Sequence, residues 1–344
     1  MAKLLSLIIT VLITVGACST DSETDIRTVF DSQDVLKLKT SFEHLSGHTI
    51  RLWADSSSIY LSSAPDFRIH VYDYLGKKKR ILGKKGDSPA ENGSIWYFGI
   101  DDTKQKYWVH DYPKQLLKSY DLKSDLLIST KKVITINNVL YAGKNMFVVP
   151  RNDEINGSYI LSVYDTKSGM YIKDFDLLKV LDNSERKSMK HLEFLFEGNF
   201  CRNNGFGVYY CYSAGVFFLI NFSDLSIKVI NDVRNLPLPV TVVQNQEVQL
   251  KPKQVGTISA TMDDNYLYSL STKDASDTRA KGKFQIDVYN LATCSYQGSF
   301  DMKRWNGEDR PSTIATSQGK LIVQFESETI AIYNVDIKKL NATR

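Results

Sequence analysis

The side chains able to do chemistry are few and scattered along the chain. Of the five histidines, His44, His48, His70, His110 and His191, only His44 and His48 fall at the HxxxH spacing, and none at HxH. His70 and His110 each lie one step from apolar strand positions and are read as exposed strand residues rather than ligands. Adjacent aspartates occur twice, at Asp101-Asp102 and Asp263-Asp264, in equivalent hairpin turns. That equivalence points to turn chemistry. A calcium site or an acid/base pair would need further acidic or Asn residues converging on one centre. Beyond Cys18, the cysteines Cys201, Cys211 and Cys294 are odd in number and irregularly spaced, which argues against a disulfide framework. "RNNGFGVYY" reads as a hairpin turning at Asn203-Asn204, so Cys201 is expected to face a residue near Phe206 and not Cys211. No GxSxG, Walker loop or GxGxxG after a strand is present. The expectation is therefore no catalytic set, no cofactor and no metal.

One charged stretch stands out. "RIHVYDYLGKKKRILGKKGDSPAE", residues 68–91, carries Lys77, Lys78, Lys79, Arg80, Lys84 and Lys85 just after an alternating apolar run. Lysines at a hairpin tip keep a sheet soluble and unpaired, so a solvated turn is the expectation. The alternative is an electropositive patch for an anionic glycan, a lipid headgroup or a protein. Exposed aromatics do not interleave with these charges, and the net charge is only +4 over 344 residues, so nucleic acid is not an expected partner.

The N-terminus reads as a targeting segment. Lys3 precedes an apolar run from Leu4 to Val15, which is too short to span a bilayer and suits a signal peptide. The run ends in "VGAC", Val15 to Cys18, which resembles the lipobox of bacterial lipoproteins. The resemblance implies cleavage before Cys18 and acyl chains on that residue, and two or more chains give stable membrane anchoring. Residues 1–17 are thus expected to be the signal peptide and 18–33 an acidic tether on a lipidated Cys18. "STDSETD" has no apolar side chain to bury. It also resembles the acidic stretch behind the lipidated cysteine of surface-exported Bacteroidetes lipoproteins. The expected location is the cell envelope, on the outer membrane, facing the periplasm or the surface.

The elements that must position any site come from an internal repeat. The chain has 19 Tyr and 16 Phe against 8 Pro, which suits pleated, half-buried strands. A strand, polar turn, strand pattern appears at "RLWADSSSIYLSS", "FGIDDTKQKYWVHD", "VLYAGKNMFVVP", "FCRNNGFGVYYCYS", "ATMDDNYLYSLS" and "IATSQGKLIVQF". Each is followed by an alternating strand ending in an aromatic residue or Ile plus Asp or Asn, as in "SVYDTKSG" and "IDVYNLAT". The residues after the first turns, Tyr60, Trp108, Phe147, Tyr209, Tyr268 and Ile322, are spaced 48, 39, 62, 59 and 54 apart. Six four-stranded units at such spacing predict an all-β, six-bladed β-propeller over residues 34–344. The sixth unit stops after its third strand, and "DVLKLKTSF" at 34–42 is expected to supply the fourth, closing the ring.

The stretches "RIHVYDYLGKKKRILGKKGDSPAE" and "DDTKQKYWVHDYPKQLLKSYDL" resemble six-bladed, TolB-like or NHL-like propeller lipoproteins of Bacteroidetes. Gly83, Gly86, Pro89 and Glu91 match that family's GxxGxGPxE-like loop, with Ser88 in place of the middle Gly, and later blades lack the loop. The longest insertion between blades, residues 231–254, contains Leu236, Pro237, Leu238, Pro239 and Val240 and is the expected partner-binding loop, with residues 273–283 as a second candidate. The functional expectation is a lipid-anchored binding or assembly module for an envelope protein or glycan. The alternative is a hydrolase or lyase, possible metal dependence included, working at the central channel.

Overall fold

A computed structural model describes residues 29–336, apart from 45–48, 64–66, 102, 104, 134–138, 144, 154, 183–190 and 277–281. Cys18, the signal peptide, His48 and Asp102 lie outside the described residues, as do parts of the tether and of the 273–283 loop.

Six antiparallel sheets follow one another along the chain. Blade 1 holds Thr49–Ala54, Ile59–Ser63, Ile69–Tyr72 and Lys78–Leu82, in that order across the sheet. Blade 2 runs Ile95–Ile100, Lys106–Asp111, Leu116–Asp121, Leu127–Lys132; blade 3 runs Leu140–Gly143, Met146–Asp153, Ser158–Asp165, Tyr171–Asp176. Blade 4 is Gly198–Arg202, Phe206–Cys211, Val216–Asn221, Ser226–Asn231, and blade 5 is Ser259–Met262, Tyr266–Thr272, Phe284–Asn290, Ser295–Met302. Blade 6 takes Pro311–Ser317, Lys320–Phe325 and Thr329–Val335 from the C-terminal end, and Leu36–Glu43 pairs antiparallel with Thr329–Val335 as its outer strand. The ring therefore closes as the repeat count requires. Slightly upstream, Val29–Phe30 adds a short parallel strand to the outer edge of blade 5.

The recurrent aromatic-plus-Asp/Asn motif has a local cause. The side-chain oxygen of the Asp or Asn accepts backbone N–H groups two to four residues on, fixing the turn before the outer strand. Asp73 accepts from Leu75 and Lys77, Asp121 from Lys123 and Ser124, Asp165 from Lys167 and Ser168, and Asn290 from Ala292 and Thr293. The basic stretch is such a turn: Asp73 N–H donates to Lys77 O, and Gly76 takes a positive φ of 81°. A Cβ at Gly76 would come within 2.6 Å of Phe42, so this turn is packed directly on the closing strand.

The central strands of each blade are buried on both faces, because each sheet is sandwiched between its neighbours. Ile69–Tyr72 and the first six residues of Ser158–Asp165 are buried without a break. This overturns the expectation for two histidines. His70 is 2% exposed and His110 is fully buried. His110 lies on the face of its strand opposite Val109, beside Trp108, and neither ring nitrogen has a hydrogen-bond partner.

Candidate functional site

The first strand of every blade lines the central channel. It holds a cavity of about 420 Å³, walled by residues of blades 1, 2, 4, 5 and 6. That volume lies in the range of small-molecule sites, roughly 300–1,000 Å³.

One mouth of the channel is ringed by the turns that join first and second strands. Asp55 accepts from the N–H of Ser57 at 2.7 Å and of Ser58 at 2.8 Å. Asp101 accepts from Gln105 and Lys106, and its other oxygen from the Thr103 hydroxyl at 2.7 Å. Asp263 accepts from Asn265 and Tyr266, and from the Tyr268 hydroxyl at 2.7 Å. Asn203 does the same in blade 4, accepting from Gly205 and Phe206. Both expected Asp pairs thus place their first member in a turn-forming role, as the equivalence of their positions predicted. Among the described residues, no group of three His, Cys, Asp or Glu is arranged to hold a metal ion.

Two arginines line the same cavity. Arg51 of blade 1 reaches across to blade 4, where it donates to Asn199 Oδ1 and, at 3.4 Å, to Phe200 O. Its guanidinium lies 5.0 Å from the Tyr97 ring centroid. Arg202 of blade 4 donates to Ile100 O of blade 2 and lies 5.1 Å from the Tyr141 ring centroid. Burial raises the Tyr97 phenol, and the guanidiniums of Arg202 and then Arg51 pull it back. No spacing rule singled out either arginine; the only signal was a strand position two residues from an aromatic, Trp53 for Arg51 and Phe200 for Arg202.

The cysteines are placed for packing. Cys201 stands opposite Val208 and Cys211 opposite Gly198, so they do not pair, although Cys201 is two residues from the position opposite Phe206 that the turn suggested. Burial pushes both thiols well above their ordinary range, which withholds the thiolate that a nucleophile needs.

The 231–254 insertion is a hairpin, Val240–Gln244 paired with Glu247–Lys251, and not an irregular loop. Its root is built from buried polar bonds. Arg234 pairs with Asp232 at 2.5 Å and donates to Val255 O at 3.1 Å, Thr272 O at 3.0 Å and Gly256 O. Gln254 Nε2 donates to Ser213 O and Pro237 O. Of the five expected partner residues, Pro239 is buried, Leu236 and Leu238 are half-buried, and Pro237 and Val240 are exposed. Leu236 packs on Gly215, and Leu238 joins the large core shared by blades 2, 3 and 4. Val243, 63% exposed, lies three residues further along the same strand, on its other face. The hairpin packs on the short helix Leu192–Leu195, which carries the exposed Phe194.

A family model described as a 6-bladed beta-propeller matches residues 10–146. A Bacteroides fragilis protein described as exported superposes with a TM-score of 0.56 at 10% identity, covering 90% of this chain and 98% of its own. BamB from Moraxella catarrhalis gives a TM-score of 0.45 at 9% identity, over 87% of this chain and all of its own. The WD40 repeats of RRP9 give 0.49 at 9% identity, over 90% of this chain and 99% of their own. No protein of curated function matches the sequence. Six four-stranded blades closed by an N-terminal strand, together with the family match over residues 10–146, make this chain a six-bladed β-propeller.

Proposed function

We propose that this propeller is a lipid-anchored binding or assembly module of the cell envelope. Acyl chains on Cys18 hold it to the membrane, and the hairpin between blades 4 and 5 engages an envelope protein. The observation that carries the reading is the hairpin itself. A root fixed by the buried Arg234–Asp232 pair presents Val240 and Val243 to solvent from an otherwise rigid ring. Exposed apolar side chains on a rigidly held projection suit protein docking. The channel-mouth carboxylates support binding over catalysis, since Asp55, Asp101 and Asp263 are occupied by their own turns. An envelope location agrees with the export described for the Bacteroides protein of like fold.

Crosslinking in intact cells, followed by affinity isolation and mass spectrometry, tests the reading. A stoichiometric partner is expected for the wild type. It should be lost with Cys18→Ala, which removes the anchor, and reduced with the pair Val240→Ser and Val243→Ser at unchanged abundance. Recovery of the same partner from both variants would sink the proposal.

A further inference from the structure

We propose that the central channel is an oxyanion site in which Arg51 and Arg202 together bind a carboxylate or phosphate group. Arg51 enters from blade 1 and Arg202 from blade 4, opposite each other in the ring, and both side chains line the one cavity. Each guanidinium is held in place: Arg51 by Asn199, Phe200 O and the Tyr97 ring, Arg202 by Ile100 O and the Tyr141 ring. Both guanidiniums border the same cavity, so a group held there meets two positive charges. An oxyanion in that cavity is attracted by both charges. The planar fork of Arg matches the two oxygens of a carboxylate or phosphate, and side chains already fixed lose little freedom on binding. At about 420 Å³ the cavity admits a small organic acid, a sugar acid or a chain terminus, but not a folded element.

Asp55, Asp101 and Asp263 line the same cavity and accept from the N–H groups of their own turns. The site does not depend on the hairpin, so loss of the envelope crosslink and loss of oxyanion binding are independent results.

The test is calorimetric titration of the purified full-length protein with three probes: inorganic phosphate, glucuronate, and an N-acetylated peptide with a free C-terminal carboxylate. At least one should bind, with affinity falling as salt rises. The preferred probe tells a free phosphate from a sugar acid and from a protein terminus. Arg51→Gln and Arg202→Gln should each weaken binding by about tenfold or more, the loss expected for a charge-assisted hydrogen bond. In the wild type, nitrogen-15 labelled arginine side-chain resonances should shift on saturation, a readout that stands even if a variant misfolds. Absence of binding by all three probes at millimolar concentration would overturn the proposal. So would undiminished binding in both folded variants, or guanidinium resonances that stay unmoved at saturation.

Discussion

His110 and Asp287 are both buried, and their titrations act on stability in opposite directions. Burial lowers His110 from its ordinary 6.5 to about 4. As the pH falls through 6.5, the unfolded chain takes up a proton that the folded chain refuses, so stability is lost down to about pH 4. Asp287, bonded to the hydroxyls of Ser271 and Ser299, is raised from 3.8 to about 6, first by burial and then by Asp232. Here the folded chain protonates first as the pH falls through 6, so stability is gained down to the unfolded value near 4. Each shift is on the order of 3 kcal/mol at its limit. Denaturant midpoints of the variants, compared with wild type between pH 6.5 and 4, separate the two. Asp287→Asn should lose stability more steeply on acidification, and His110→Phe should lose it less. If both variants keep the wild-type slope, neither group is the one that titrates. The sequence placed His110 on a strand and assigned it to solvent, because alternation shows which residues share a face and not what covers that face.

The link from blade 1 to blade 2 is the element in which a short motif acquires its physical meaning. Gly86 adopts a φ of 154°, and a Cβ there would run into the Glu91 carboxylate, which itself accepts from Ser88 N–H. The loop is then clamped from blade 2. Lys118, fully buried, pairs with the equally buried Asp111 at 2.9 Å and donates to Glu91 O. Asp111 also accepts from the N–H groups of Gly93 and Ser94. Lys118→Met should cost about 3–5 kcal/mol, because it leaves a buried carboxylate without its closest cation and frees the loop carbonyl. Adding Asp111→Asn should recover part of that loss. Urea unfolding of the single and double variants measures both effects, and a Lys118→Met protein as stable as wild type would show the clamp to be dispensable. Gly83, Gly86 and Glu91 were legible as a family-like loop. Lys118 was not, since it sits inside a strand whose pattern alone would turn a lysine outward.

At the scale of the whole molecule, closure by the strand Leu36–Glu43 is the feature on which the ring depends. It covers Thr329–Val335, donates His44 N–H to Glu328 O, and brings His44 Nδ1 within 2.8 Å of the Tyr72 hydroxyl in blade 1. Without it, blade 6 would have three strands and an open edge beside buried Ile330 and Ile332. A chain beginning at residue 45 should therefore aggregate or unfold without a cooperative transition, whereas one beginning at residue 29 should remain monomeric and cooperative. Size-exclusion chromatography and thermal unfolding compare the two. A monomeric 45–344 chain with an unchanged Tm would show that the other five blades hold the ring by themselves.

The sequence by itself determined the all-β class, six blades, their boundaries and the closing strand. These rest on a two-residue period and on turn residues whose effect is local, repeated six times. It also pointed to turn duty for the paired aspartates, since Asp101 and Asp263 recur at equivalent turns. Only the tertiary structure decided what the channel contains. Arg51 meets Asn199, 148 residues away, because strands from opposite blades converge on one axis. It likewise decided that the insertion is a hairpin, and that Leu238 and Pro239 hold its root while Val240 and Val243 face solvent. Burial is set by the neighbouring blade, and nothing in the local pattern of one blade records the face of the next.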